Sequence, residues 1–164
     1  MLEEQRFDSR LHNRTDFDCG TRILNEYLAR YATQHRKRGI VQIYVAVDTE
    51  APNVVLGYYT LSAAQIDTSQ ISPVESKKLP RFPVPSFRMG RLAVSKDRQG
   101  KKLGGQLLAM AVDRCLQAKE EVTAYALLVD AKDERAKVFY EHFGFIARTD
   151  LSLTLYLPLG PGFP

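Results

Sequence analysis

Several features that mark whole classes of protein are scarce or missing in this 164-residue chain. No apolar stretch approaches the ~20 residues that a bilayer-crossing helix requires. The first ten residues, MLEEQRFDSR, are polar and carry two early acids, so they do not read as a signal peptide. Only two cysteines, Cys19 and Cys115, are present, too few for a disulfide framework or a four-cysteine zinc site. They are expected to be reduced thiols in a soluble, cytoplasmic protein. There is no internal repeat and no low-complexity tract. What remains is a globular composition, 45% hydrophobic and 26% charged. The length suits a single domain over residues 1–158, with a Pro/Gly-rich tail over 159–164.

Local patterns give the order of elements. Ile23, Leu24, Tyr27, Leu28, Tyr31 and Ala32 recur at helical spacing after Thr21, a candidate cap, and Gly39 closes that helix. Ile40 to Val47 and Val54 to Ala63 read as two strands of a hairpin around Pro52. Residues 65–86 are long for a loop, and Ser72 to Lys78 is expected to hold a short helix with Pro73 in its first turn. A strand from Phe87 to Val94 precedes a strong helix whose apolar face is Leu103, Leu107, Leu108, Ala111, Val112, Cys115 and Leu116. Val122 to Val129 reads as a buried strand, Asp133 to Phe143 as a helix stopped by Gly144, and Leu151 to Leu157 as a last strand. The order implies an α/β fold with a strand–helix–strand crossover in its second half.

The most informative stretch is Leu92 to Leu108, LAVSKDRQGKKLGGQLL. A strand ends, a glycine-bearing loop follows, and a helix begins inside that loop. Amides at such a helix start lack intrahelical partners, and the helix dipole adds positive charge. Gly100, Gly104 and Gly105 permit close approach of a phosphate, while Arg98, Lys101 and Lys102 supply full charges. The pattern asks for a pyrophosphate or similar polyanion. It is neither the P-loop GxxxxGK[ST] nor the dinucleotide GxGxxG.

Farther on, Ala136, Phe139, Tyr140 and Phe143 share a helical face, and Phe139, Phe143 and Phe145 are expected to pack in the core. A tyrosine there can be one more member of the stripe. Its phenol can equally serve as a proton donor, because it stays protonated at neutral pH.

These segments resemble the GNAT acetyltransferases, whose coenzyme signature runs Gln/Arg-x-x-Gly-x-Gly/Ala between a strand and a long helix. Gln99, Gly100, Lys101, Lys102, Leu103 and Gly104 occupy it, with Lys102 in place of the first signature glycine. A Cβ there narrows the approach to a pyrophosphate, although the ammonium can pair with one. Phe17-Asp18-Cys19-Gly20, Gly57-Tyr58-Tyr59-Thr60-Leu61-Ser62, Gly90-Arg91-Leu92-Ala93-Val94, Val129-Asp130-Ala131-Lys132-Asp133 and Phe139-Tyr140-Glu141-His142-Phe143-Gly144-Phe145 together resemble the GNAT toxins of bacterial type II toxin–antitoxin pairs. The resemblance implies the GNAT acyl-CoA N-acyltransferase fold, a mixed central sheet flanked by helices. It implies acetyl-CoA as cosubstrate and no metal, with coenzyme contacts from Leu92, Ala93, Val94, Arg98, Gln99, Gly100, Lys101, Lys102, Leu103, Gly104, Gly105, Asp133 and Phe139. It also implies Tyr140 as general acid and acetylation of the α-amine of aminoacyl-tRNA, which blocks translation. A ribbon–helix–helix antitoxin, DNA contact only through that antitoxin, and a homodimer follow from the same likeness.

Charge is consistent with an RNA substrate. Residues 77–102 hold nine basic residues against one acid, Asp97, a net charge of +8. Arg36, Lys37, Arg38, Lys77, Lys78, Arg81, Arg88 and Arg91 are the candidate tRNA contacts. Such runs are equally often a solvated surface. A GNAT enzyme acting on a small amine or a protein N-terminus, and a non-catalytic RNA-binding module, remain open on sequence grounds. His12, His35 and His142 read as surface residues, so no general base stands out.

Overall fold

The computed structural model describes residues 1–161. Its chain order is β1 (Leu2–Arg6), α1 (Arg22–Glu26), a π-helical stretch (Tyr27–Tyr31), α2 (Ala32–Lys37), β2 (Gln42–Asp48), β3 (Gly57–Ile66), α3 (Pro73–Ser76), β4 (Val84–Met89), β5 (Leu92–Val94), α4 (Leu103–Ala118), β6 (Ala126–Asp130), α5 (Glu134–His142), β7 (Ile146–Ala147) and β8 (Thr154–Pro158). Strand pairing runs β1-β2-β3-β4-β6-β8-β7, with β5 joined to β3 off that path. The sheet is mixed, because β4 and β6 are parallel while the other registered pairs are antiparallel. Two compact units divide the chain, Met1–Ser62 with Arg91–Ala111, and Ala63–Gly90 with Val112 onward.

In the first unit, β2 and β3 form the expected hairpin, and Phe7, Leu28, Ile43, Val45, Val47 and Tyr58 are buried together. Strand β1 was invisible to pattern reasoning because LEEQR has no apolar alternation. It pairs β2 in antiparallel register, as a charged edge strand can, and Glu4 accepts the Tyr59 hydroxyl at 2.6 Å. The first helix departs from its pattern: Ile23 and Tyr31 are exposed, while Tyr27, Leu28 and Ala32 are buried. The π-helical stretch explains the exposure of Tyr31, since an extra residue per turn rotates the buried face out of the 3.6-residue phase. Thr21 stands at the N-cap position without a side-chain cap bond.

In the second unit, Ile66, Ile71, Val84, Ala126, Leu128 and Tyr156 are buried together. The long 65–86 segment is ordered by local caps. Asp67 and Gln70 form a capping box on a 3₁₀ turn, and the Ser72 hydroxyl caps α3 with Pro73 in its first turn. Two expectations fail here. Val122 is exposed because its amide closes the end of α4 on Ala118 C=O, so β6 starts only at Ala126. Leu116 also faces outward from α4. The start of the expected tail is tied down: the Leu159 amide bonds Tyr125 C=O, and Lys119 Nζ reaches the carbonyls of Leu159, Gly160 and Pro161 at 2.9–3.0 Å. The rest of that tail lies outside the described residues.

Candidate active site

Strand β5 offers one edge to the fold and leaves the other open. Leu92–Val94 pairs with Tyr59–Gly57, and no second strand joins it among the described residues. Thr60 N–H bonds Arg91 C=O and Ser95 N–H bonds Leu56 C=O, so the ladder bonds fall on alternate residues. Antiparallel alternation then turns the Leu92 and Val94 amides toward the open edge. Gly57 makes the close packing beneath possible: a Cβ there would lie 2.7 Å from Leu107 Cδ1 and 2.8 Å from the Ala93 carbonyl oxygen.

The loop after β5 is braced by the segment Phe17-Asp18-Cys19-Gly20. Gln99 Nε2 donates to Cys19 C=O at 2.7 Å and to Val94 C=O at 2.9 Å. Lys96 N–H bonds Asp18 C=O, and Lys96 Nζ lies 3.4 Å from Asp18 Oδ2. The other Asp18 oxygen accepts from the Gly20 amide and from Asn25 Nδ2, both at 2.9 Å. The Gly20 amide, with further help from Asn25 and Lys96, holds the Asp18 carboxyl below the usual carboxylate range. The side chain of signature residue Gln99 is thus a tether. Sequence reasoning had the Asp18 segment only as part of a likeness, because bracing across 80 residues leaves no local pattern.

Beyond Gln99 the backbone lies open. Gln99, Gly100, Lys101 and Lys102 are exposed. Among the described residues no backbone hydrogen bond is donated by the amides of Gly100 to Gly105; the first is Gln106 N–H to Lys102 C=O at 3.2 Å. No side chain caps this helix, and Arg98, Lys101 and Lys102 make no salt bridge among the described residues. Gly100 has φ +76, and a Cβ added there would meet nothing. Lys102 has φ +67, alone among described non-glycine residues. The backbone therefore keeps the left-handed conformation that glycine favours, with a lysine in it. A row of free amides at the positive end of a 16-residue helix, ringed by cations, fits a pyrophosphate. A 370 Å³ cavity on Asp16, Asp18, Ser95, Lys96 and Asp97 does not, since its carboxylates would repel one.

In the second unit, α5 carries the aromatic motif. Asp133 Oδ1 caps it by accepting from Ala136 N–H at 2.8 Å, so that carboxylate already serves the fold. Gly144, at φ +91, ends the helix and lets Phe145 N–H return to Tyr140 C=O at 3.2 Å. Tyr140 is only 5% exposed, with Phe139 and Phe145 edge-on to its ring at 5.3 and 5.6 Å. Burial, and secondarily the Asp130 charge, push its phenol well above the ordinary value. Its hydroxyl makes no hydrogen bond among the described residues and stays protonated throughout the physiological range. Phe145 is buried and Phe139 half-buried as expected, but Phe143 is 44% exposed, because it follows the last turn of α5. Asp130 accepts Arg88 Nη1 at 2.6 Å and Thr154 Oγ1 at 3.4 Å.

The structure separates the eight candidate RNA contacts. Arg88 is paired with Asp130, Arg91 stacks 3.5 Å over the Tyr27 ring, and Arg36 Nη1 bonds Phe7 C=O. These three are engaged within the protein. Lys37, Arg38, Lys77, Lys78 and Arg81 are exposed and make no salt bridge among the described residues. The histidines also sort themselves. His12 is buried rather than at the surface, with Nδ1 accepting the Asp8 amide and Nε2 facing Gln5 Oε1. His35 meets the Tyr27 hydroxyl, and His142 is exposed.

Residues 39–147 match the acetyltransferase (GNAT) domain, and the chain belongs to that family. It is 34% identical over 137 residues to a tRNA-acetylating toxin of Mycobacterium tuberculosis, a stretch covering 83% of this chain and 80% of the relative. Among solved structures, a tyrosine-to-phenylalanine mutant of KacT superposes with a TM-score of 0.90 at 32% identity, covering 96% of this chain and 95% of that one. AtaT complexed with acetyl-methionyl-tRNAfMet gives a TM-score of 0.90 at 28% identity, with the same coverage.

Proposed function

We propose that this chain is an acetyl-CoA-dependent N-acetyltransferase that acetylates the α-amino group of aminoacyl-tRNA and so inhibits translation. The observation that carries the substrate is the likeness, along nearly the whole chain, to tRNA-acetylating toxins, including AtaT with its acetylated tRNA. The free amides of Gly100 to Gly105 support the coenzyme, because a diphosphate supplies acceptors that the chain lacks. Arg98, Lys101 and Lys102 balance its charge, and the open edge of Leu92–Val94 receives its amide arm as an added strand would be received. Phe139 adds apolar surface. Asp133 contributes by fixing α5 rather than by touching a phosphate.

In the transfer, the substrate nitrogen forms a bond to the thioester carbonyl carbon, and the carbon–sulfur bond breaks. The Val94 amide donates to the oxyanion. Tyr140 gives its proton to the departing sulfur, and the proton lost by the nitrogen restores the phenol through solvent. A dedicated base is unnecessary, because an α-amine titrates near ~8 and is partly neutral at pH 7. The protein acts in the cytoplasm as a homodimer, and a ribbon–helix–helix antitoxin that carries the DNA contact neutralises it. An antitoxin partner is supported by AtaT, whose structures include one bound to the C-terminus of its antitoxin AtaR.

The test is to incubate the protein with labelled acetyl-CoA and a mixture of charged tRNAs. Label is expected on the α-amine of an esterified amino acid. Label only on small amines or protein N-termini would overturn the substrate, and the absence of any transfer would overturn the enzyme.

A further inference from the structure

Once the cations with partners are set aside, the segment from Lys77 to Pro83 stands out in the second unit. Phe82 is 63% exposed there, beside Lys77, Lys78 and Arg81, all exposed. Exposure of a phenylalanine contributes nothing to folding, and this segment is otherwise firmly held. Ile71 and Val84, on either side of it, are both buried in the unit's core, and Leu79 packs against that core. Ser72 N–H bonds the Tyr156 hydroxyl at 3.1 Å. Pro80, Pro83 and Pro85 restrict the backbone around Phe82, and Pro83 biases it toward an extended conformation. Charge is one-sided as well. No acid occurs between Glu75 and Asp97, and Glu75 is taken up by the Tyr125 hydroxyl at 3.2 Å.

An exposed ring on a proline-restricted backbone, with three exposed cations within five residues of it in sequence and no salt bridge to them among the described residues, has the chemistry of a single-strand RNA platform: π-stacking for a base and positive charge for its phosphates. We propose that Phe82 stacks an unpaired base of the RNA substrate while Lys77, Lys78 and Arg81 hold the flanking phosphates. Phe82 is a substrate-binding residue away from the reacting atoms, and its role rests on the aminoacyl-tRNA reading above. Stacking tolerates any base, so the platform raises affinity for RNA without choosing the amino acid.

The chain contains no tryptophan, so Phe82→Trp introduces a single reporter. Its emission is expected to be quenched by deacylated tRNA, and much less by a blunt RNA duplex or by poly-L-glutamate at equal charge. Phe82→Ala is expected to raise KM for charged tRNA about tenfold, in line with the loss of one base stack. The kcat and the KM for acetyl-CoA should not change, and Phe82→Tyr should restore the wild-type KM. Equal quenching by the duplex would reduce the site to electrostatics and overturn stacking. Equal response to poly-L-glutamate would assign the patch to an acidic protein instead. A KM for Phe82→Ala within twofold of wild type, with wild-type acetylation intact, would overturn the platform and leave the function standing. If wild-type protein acetylates no charged tRNA, the functional reading fails, and the tRNA titration still decides whether Phe82 stacks on RNA.

Discussion

The turn from β5 into α4 and the turn from β6 into α5 both lead a strand into a helix N-terminus, yet among the described residues only the second carries a side-chain cap. At α5 Asp133 supplies a carboxylate to the Ala136 amide at 2.8 Å. At α4 no side chain caps, six successive amides from Gly100 to Gly105 donate no backbone hydrogen bond among the described residues, and the surrounding side chains are cationic. Exposed amides can be satisfied by water, so the open turn is not itself unstable. It is a place where an anion with several oxygens gains bonds that water would otherwise make. The capped turn is a fixture for aromatic chemistry, holding Tyr140 in a dry environment. One turn is open; the other is capped.

The strongest way to break this division is Tyr140→Phe. Transfer should fall by about 10²–10⁴-fold, the usual contribution of a positioned acid, while acetyl-CoA affinity measured by calorimetry stays within twofold. Comparable loss of coenzyme affinity would show that α5 also binds the coenzyme. The pH profile sharpens the same point. Burial raises the Tyr140 phenol above its ordinary value of about 10, so its acid form persists as pH rises. The transfer rate should climb through pH ~8 as the substrate amine loses its proton, with no falling limb below about pH 10. A limb near pH 9 would remove Tyr140 as the proton source.

Smaller effects probe how each turn is held. Gly57→Ala places a methyl against Leu107 and the Ala93 carbonyl beneath the open turn. It should cost about 1–3 kcal/mol, read as a lowered thermal midpoint, because the Ala93 carbonyl, 2.8 Å away, is backbone of β5 and cannot swing aside as the Leu107 side chain can. Asp133→Ala should cost about 1 kcal/mol in denaturant unfolding, the worth of an N-cap, with acetyl-CoA affinity unchanged. A marked loss of affinity would mean that Asp133 faces the coenzyme after all. Lys102→Gly has the opposite sign. Relief of the left-handed backbone outweighs the added chain entropy, so stability should rise by about 0.5 kcal/mol. Coenzyme affinity should weaken a few-fold with the lost charge.

Legibility followed how local the cause was. The α4 turn, the Ser72 cap with Pro73, the Asp133 helix and its Gly144 stop all declare themselves within a few residues, and all were readable. Strand β1 was not, because its partners in β2 lie about 40 residues away and LEEQR carries no apolar alternation of its own. The π-helical stretch put Tyr31 on the wrong side of a pattern that assumed 3.6 residues per turn. Asp18 and Gln99 brace the loop through bonds that span 80 residues, and no spacing rule connects them.

From the amino-acid order alone came the strand–loop–helix with its free amides, the aromatic helix with Tyr140 as candidate proton donor and the basic stretch, since caps, turns and charge density are properties of neighbouring residues. Tertiary structure decided which charges are available. Arg88, Arg91 and Arg36 find a carboxylate, a ring and a carbonyl, while Lys77, Lys78 and Arg81 find none among the described residues and stay near an exposed Phe82 in sequence. The reason is electrostatic and geometric: a charge is neutralised by what lies across from it in space, and the linear chain does not say what that will be.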